Sequence, residues 1–371
     1  MSLNPRLVKE SFAVVEPVAD KAAAYFYGRL FAENPHLRAM FPPAMDVQRD
    51  RLFTALTRIV WSLDSPGGLS ALLDRLGRDH RGYGVVAEHY GAVESALLAT
   101  LRRFAAEVWD AETEAAWSAA YAAVADIMIG SAESEAGIRP AWWSAEVTGH
   151  ELRTPDIAVI TLRTAGRLPY LPGQYVNVQT ARWPRVWRPF SIANAPRRDG
   201  TVRLHVRAVP GGWVSTALVG HTRVGDTVTL GSPLGTMTPQ GSGRDILCVA
   251  GGTGLAPIKA ILEHVITSGP RPRIHLLYGA RTARELYDLP DLTRMASGFP
   301  SLRVVPVVSG DPGYGGLRGP LPEVTERLRR WDDHEIYVCG PAGMVGETVR
   351  RLRRNGTPSA AILRDPVRGA R

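Results

Sequence analysis

The chain reads as a multidomain protein: an all-α domain, then an antiparallel β-barrel, then an α/β domain with a parallel sheet. Three observations carry this. Up to about Ser134 the apolar residues recur at three- and four-residue spacing. From about Ile138-Arg139-Pro140 they alternate in short runs between Gly and Pro turns. From Asp245 strand-like runs alternate with helical ones. A chain of 371 residues has room for two or three cores, and the expected division is 1–137, 138–241 and 242–371.

In the first part Leu52, Leu56, Ile59 and Val60 form one helical stripe, Leu72, Leu73 and Leu76 a second, and Val93, Leu97, Leu98, Leu101 and Phe104 a third. Breaks are expected at Asn34-Pro35, Pro42-Pro43 and Ser65-Pro66-Gly67-Gly68. Strand-like runs begin near Val147, Ile157, Val159 and Ile160, and continue at 175–178, 202–206 and 227–230. Many short strands with such turns suggest a small barrel. The last part opens with Ile246-Leu-Cys-Val-Ala250 running into Gly251, followed by strands at 274–278, 304–308 and 336–339. That order suggests a parallel sheet.

Composition narrows the class. No apolar run approaches a membrane span, and Met1-Ser2-Leu3-Asn4-Pro5 is unlike a secretory leader. Two cysteines, Cys248 and Cys339, argue against a disulfide framework, so a soluble cytoplasmic protein is expected. The net charge of +8 is uneven: 13 Lys and Arg face 18 Asp and Glu in residues 1–137, against 31 and 18 in the remainder. No nucleic-acid recognition motif accompanies the basic part, and anionic dinucleotides account for its sign. Acidic front and basic back are expected to attract, which raised ionic strength would reveal as slower electron transfer. From Arg350 the tail holds seven arginines and one acid, Asp365, and reads as a solvated helix face with a frayed end.

Chemistry is concentrated in an ordered series: Arg188-Pro-Phe-Ser191, Gly211-Gly-Trp-Val-Ser215, Gly251-Gly-Thr-Gly254 and Cys339-Gly-Pro341. Each is weak alone. In this order they describe hydride transfer from a nicotinamide to a flavin. Arg188 would meet a pyrophosphate, and the glycines let backbone amides approach an anion. Gly251-Gly-Thr-Gly-Leu-Ala-Pro257 follows a buried strand and opens a helix, as a dinucleotide site requires, without being a Gly-x-Gly-x-x-Gly fingerprint. In the first part His80 closes the helical stretch 69–79 before Arg81-Gly-Tyr-Gly84. Phe41 precedes two prolines, Gln48 and Leu52 share a helix face, and Tyr27 lies on an aromatic-rich helix. A haem needs such an imidazole in an apolar pocket.

Phe26-Tyr-x-Arg-x-Phe31, Asn34-Pro35, Phe41, Gln48-Arg49, His80 and Glu88-x-Tyr90 resemble the globin domain of bacterial flavohaemoglobins. Residues 138–371 resemble that family's ferredoxin-reductase-type module, so the resemblance spans nearly the whole chain. It implies haem b held by His80, with Tyr27, Gln48 and Leu52 on the distal side, Phe41 beside the porphyrin, and Tyr90 hydrogen-bonding toward the proximal histidine. A phenol and an amide can donate hydrogen bonds to dioxygen carrying partial negative charge. It implies FAD, rather than FMN, on Gln174, Tyr175, Arg188, Phe190, Ser191, Gly211, Gly212 and Ser215. NADH or NADPH would bind on Gly251, Gly252, Thr253, Gly254, Pro257, Arg281, Cys339, Gly340, Pro341 and Met344, with Arg284 beside Arg281; NADH is weakly favoured.

Four departures from the family stand out. An ungapped reading from Ala116-Trp117 puts Ser134 where relatives carry a proximal-side glutamate, with Glu133 and Glu135 on either side. Asp79 stands where lysine is common. Phe190 replaces tyrosine and loses a flavin hydrogen bond. No aromatic residue follows Tyr337 to cover the flavin. The implied activity is electron transfer from NAD(P)H through FAD to haem, with nitric oxide and dioxygen converted to nitrate and no obligatory protein partner. Alternatives left open are a flavohaem reductase acting on quinones, peroxides or another organic substrate, a gas sensor or oxygen carrier kept reduced by its own reductase, and a reductase whose globin-like domain lacks haem.

Overall fold

The computed structural model describes residues 4–268 and 272–365. They fall into two compact units, one ending at Ala141 and the other beginning at Trp142. Met1-Ser2-Leu3 and the frayed end expected over residues 366–371 lie outside the described residues.

The first unit is helical throughout: α1 Pro5–Val15, α2 Ala19–Glu33, α3 Asp46–Trp61, α4 Pro66–Gly82, α5 Glu88–Phe104 and α6 Ala111–Ala136. Proline occupies the first turn of α1 and α4, where its missing N–H costs nothing. Asp110 caps α6 by accepting the Thr113 amide at 2.7 Å. Val8, Phe12, Val60, Leu101 and Trp117 form one core. Each such burial contributes roughly 1.5–3 kcal/mol. The Trp117 indole N–H, which could not be left unpaired there, donates to Ser11 Oγ at 2.9 Å. α6 is the one described helix whose length and apolarity would allow a membrane crossing, contrary to the expectation that no run approaches a span. Its Trp117, Ala120, Ala125 and Met128 are buried in this unit, the pattern of a core helix.

Two helix limits differ from expectation. The break at Ser65-Pro66-Gly67-Gly68 falls before Pro66, so both glycines lie in the first turn of α4. At its other end α4 runs on through His80 to Gly82, and stops where Gly84 takes a left-handed φ of 77°. His80 therefore sits within the last turn rather than beyond it.

The second unit opens with six antiparallel strands: β1 Trp143–Thr154, β2 Ile157–Thr164, β3 Tyr175–Thr180, β4 Arg188–Ser191, β5 Thr201–Arg207 and β6 Thr227–Leu230, with α7 Trp213–Gly220 between the last two. Their order is β4-β3-β6-β1-β2-β5. A bridge from Ile192 to Leu204 joins the two ends into a near-closed barrel. Its inward residues include Val147, Ile160, Val176, Ile192, Leu204 and Leu218. A parallel sheet follows, β10-β9-β8-β7-β11-β12. Its strands are β7 Ile246–Gly251, β8 Ile274–Ala280, β9 Leu302–Val308, β10 Leu317–Arg318, β11 Glu335–Cys339 and β12 Ile362–Leu363. The helices are α8 Leu255–Thr267, α9 Leu289–Gly298, α10 Leu321–Leu328 and α11 Ala342–Arg354. Central strands buried on both faces explain why 246–250 reads as an unbroken apolar run.

Barrel and sheet share a core: Ile157, Val159 and Met237 pack with Ile246, Leu255 and Tyr278. Two pairs of polar groups sit at this seam. Lys259 Nζ lies 2.5 Å from Asp288 and 3.2 Å from Asp291, and His205 Nδ1 lies 2.8 Å from the Tyr287 hydroxyl. Burial, with the nearby charges of Lys259 and Arg153, pushes the His205 pKa well below the ordinary imidazole value. The unfolded chain takes up a proton on His205 below about pH 6.5, and the folded chain does not. Stability of this unit therefore falls as pH drops through that window, by up to ~1.4 kcal/mol per pH unit. Thermal unfolding followed by flavin release is expected to show that slope between pH 7 and 5.5, with a flatter one in His205→Gln. Identical slopes in both proteins would contradict the assignment.

Candidate functional site

In the helical unit Tyr27, Phe41 and Leu52 converge with Phe26, Leu30 and Leu37 in one cluster. The Tyr27 ring lies 5.5 Å from that of Phe41 and 5.7 Å from that of Phe31. Burial raises the phenol's pKa to about 12, and a hydrogen bond from the Gln48 side chain partly opposes this. Gln48 is thus the polar side chain beside the buried Tyr27 hydroxyl. Gln48 and Leu52, four residues apart on α3, meet the cluster as their shared face requires.

His80 Nδ1 lies 2.8 Å from the Leu76 carbonyl oxygen, one helical turn back. A carbonyl only accepts, so Nδ1 carries the proton and Nε2 keeps its lone pair. That is the tautomer an iron ligand requires, and no protein hydrogen bond to Nε2 is found among the described residues. The donor set thus fits haem: one imidazole with its coordinating nitrogen open, and a ring-lined cluster holding a buried, protonated phenol. Tyr90 lies near the start of α5. Its carbonyl accepts from the Tyr121 hydroxyl at 2.8 Å, and no hydrogen bond from its phenol to His80 is found among the described residues. Glu133 and Ser134 are exposed, and the Glu135 carboxylate lies 3.7 Å from Arg78 Nε.

In the second unit β3 and β4 pair so that Tyr175 faces Ser191, Val176 faces Phe190 and Val178 faces Arg188. Phe190 packs on the barrel core, while Arg188 is exposed. Gln174 is committed to its own loop: Oε1 accepts the Leu171 amide at 2.8 Å and Nε2 donates to the Gly235 carbonyl at 3.2 Å. Gly211, with φ 72°, and Gly212 lead directly into α7, presenting its first amides. Ser215 Oγ is occupied locally, donating to the Gly212 carbonyl at 3.2 Å and accepting the Val209 amide at 3.3 Å.

The β7–α8 turn contains Gly252, Thr253 and Gly254, with Pro257 inside the first turn of α8. Gly252 has φ 56°, and the space a side chain would enter there is empty. A Cβ on Gly254 would lie 2.5 Å from both the Cys339 oxygen and the Gly340 nitrogen, so two backbones meet there. Gly251 abuts Met344 Sδ and Pro341 in the same way. The two loops thus form one cradle, with an open side at Gly252. Arg281 Nη2 lies 3.3 Å from Glu285.

Sequence reasoning missed Asp365. Its carboxylate accepts the Thr236 amide at 2.9 Å, sits against Gly235 beside Tyr175, and helps burial raise the Cys339 thiol to about 12. Burial likewise raises Asp365 above the usual carboxylate range. Asp365 is thus near Tyr175, which faces Ser191, and within electrostatic reach of Cys339. Being the one acid in an arginine-rich tail was the available signal.

Residues 24–128 match the globin family, 144–238 the oxidoreductase FAD-binding domain and 248–350 the oxidoreductase NAD-binding domain. A flavohemoprotein of Bordetella pertussis is 30% identical over 388 residues, covering 96% of this chain and 95% of that protein. The chain belongs to the flavohemoproteins. The flavohemoglobin of Malassezia yamatoensis, solved with FAD and heme, shares the fold with a TM-score of 0.76 at 17% identity, over 98% of this chain and 99% of that one. Over the reductase part alone the chain is 32% identical to the electron transfer component of a xylene/toluene monooxygenase from Pseudomonas putida, covering 60% of this chain and 64% of that protein. It is 37% identical to the reductase component of a naphthalene 1,2-dioxygenase/salicylate 5-hydroxylase system from a Ralstonia species, covering 54% of this chain and 61% of that protein. It therefore spans less than two thirds of those two. This is a flavohemoprotein oxidoreductase with haem, FAD and NAD(P) domains.

Proposed function

We propose that the protein is a nitric oxide dioxygenase, using NAD(P)H to convert nitric oxide and dioxygen to nitrate. The observation that carries this reading is the Tyr27 phenol, held protonated by burial beside Gln48 inside a ring-lined cluster. A fixed donor there favours a diatomic ligand that gains negative charge, and the surrounding rings exclude water. When bound, FAD supplies hydride acceptance with one-electron release, and haem supplies an iron that holds a diatomic gas. The chain's residues then have separate tasks. His80 Nε2 would hold the metal, the amides at Gly211, Gly212 and the start of α7 would receive the FAD pyrophosphate, and the Gly252–Gly254 turn would receive that of the nicotinamide nucleotide. Tyr175 and Ser191 would line the flavin, with Arg188 reaching its phosphates. Cys339, kept a neutral thiol, lines the hydride path without adding a charge. Glu285 beside Arg281 supports NADH, because a carboxylate there competes with a 2′-phosphate for the guanidinium.

A second reading, delivery of electrons to a quinone or other organic acceptor, is supported by the reductase half's likeness to oxygenase reductase components. Rapid mixing of the reduced, oxygenated holoprotein with nitric oxide separates the two. Stoichiometric nitrate supports the dioxygenase, and its absence together with organic-acceptor turnover supports the second reading. Tyr27→Phe, which removes one hydrogen bond to a charged acceptor worth ~1.5–3 kcal/mol, is expected to speed dioxygen release about 10-fold or more. An unchanged release rate would count against Tyr27 as the donor.

A further inference from the structure

We propose that the His80 imidazole is anchored by its own helix, through the Leu76 main-chain carbonyl, with no carboxylate from α6 taking its proton. The inference rests on the haem reading of His80 given above. An imidazole Nδ1 has one proton to donate, and the Leu76 oxygen at 2.8 Å receives it. The placement of α4 explains why α6 does not compete. Asp74 accepts from Ser131 Oγ at 2.6 Å, Gly77 packs directly on the Met128 backbone, and Arg78 pairs with Glu135. These residues and Arg81, which donates to the Arg139 carbonyl, mark the stripe of α4 that meets α6 and its C-terminal extension. On a helix turning about 100 degrees per residue, His80 flanks that stripe, about 60 degrees round from Gly77. Of the α6 positions at this contact, Met128, Ser131 and Glu135 are already engaged, which leaves Ala132, half-buried and without a polar atom.

The consequence is chemical. A carboxylate that draws the Nδ1 proton gives the imidazole anionic character and pushes electron density toward the metal; a neutral carbonyl does so far less. The site is thereby suited to holding a diatomic gas and poorly suited to heterolytic cleavage of a peroxide. Asp79 acts on the ring through its charge, behind burial and the Leu76 bond.

Resonance Raman spectra of the reduced, ligand-free holoprotein test this through the iron–histidine stretch. Glu135→Gln and Asp79→Asn should leave the band where it is in the parent protein, and Ala132→Glu, which offers the missing carboxylate, should move it to higher frequency and speed the ferric protein's reaction with hydrogen peroxide. A downward shift in either Glu135→Gln or Asp79→Asn would assign the proton to that carboxylate and overturn the proposal. If Ala132→Glu misfolds, the two other variants still decide. Absence of a Soret band in the parent protein would instead defeat the haem reading itself, a separate outcome.

Discussion

Replacing His80 with alanine is expected to abolish nitric-oxide-dependent NADH consumption while NADH still bleaches the flavin. Loss of groups that merely orient a ligand costs about 10–100-fold in metal affinity or activity, so removing the ligand itself should exceed ~100-fold. The Soret band should be weak or absent, and the FAD content unchanged, because His80 lies in the unit ending at Ala141 and every proposed FAD contact lies in the other. Truncation at His80 also removes the bond to Leu76. A His80→Gln variant, which keeps bulk and a hydrogen-bond donor, separates ligation from folding. Full nitric oxide turnover in either variant would show that the iron is held elsewhere.

The second large effect is expected at Gly254. An alanine there would bring Cβ to 2.5 Å from two backbone atoms of the Cys339–Gly340 turn, and backbone cannot swing aside as a flexible side chain does. Overpacking of this kind costs ~1–3 kcal/mol, and a displacement near 1 Å at a reacting pair can cost about 100-fold. Gly254→Ala is expected to slow flavin reduction by NADH roughly 10–100-fold, with haem and FAD content intact. Dithionite should still reduce both groups normally. Gly343→Ala, where a Cβ meets open space, provides the matched control. Equal rates for all three proteins would remove the β7–α8 turn from the nucleotide site.

The strands were legible because burial imposes period two on the barrel and unbroken apolar runs on the sheet: 175–178, 202–206 and 227–230 lie within β3, β5 and β6. Arg188-Pro-Phe-Ser191 reads as a motif and not as a strand, since it has no alternation of its own; pairing with β3 makes it β4. α7 was hidden behind the glycines that precede it. Helix ends were harder to place for a related reason. Arg81 and Gly82 look like breakers in isolation, yet the contact with residue 139 carries α4 past His80. The proximal and tail details were illegible for want of distance information. Whether Glu133 or Glu135 could reach His80 depends on which stripe of α4 meets α6, and the bond joining Asp365 to Thr236 spans 129 residues of chain. Asp79, the reversal of sign beside His80, acts on the ring through its charge, after burial and the Leu76 bond in size.

The most direct test of the account is an anaerobic titration of the holoprotein with NADH, followed by absorbance. The account predicts loss of the oxidised flavin bands first, then conversion of ferric haem to the ferrous form, with both phases slowed together in Gly254→Ala. Haem that stays ferric beside fully reduced flavin, or that is reduced at the parent rate in Gly254→Ala, would contradict a single path from nicotinamide through flavin to the iron on His80.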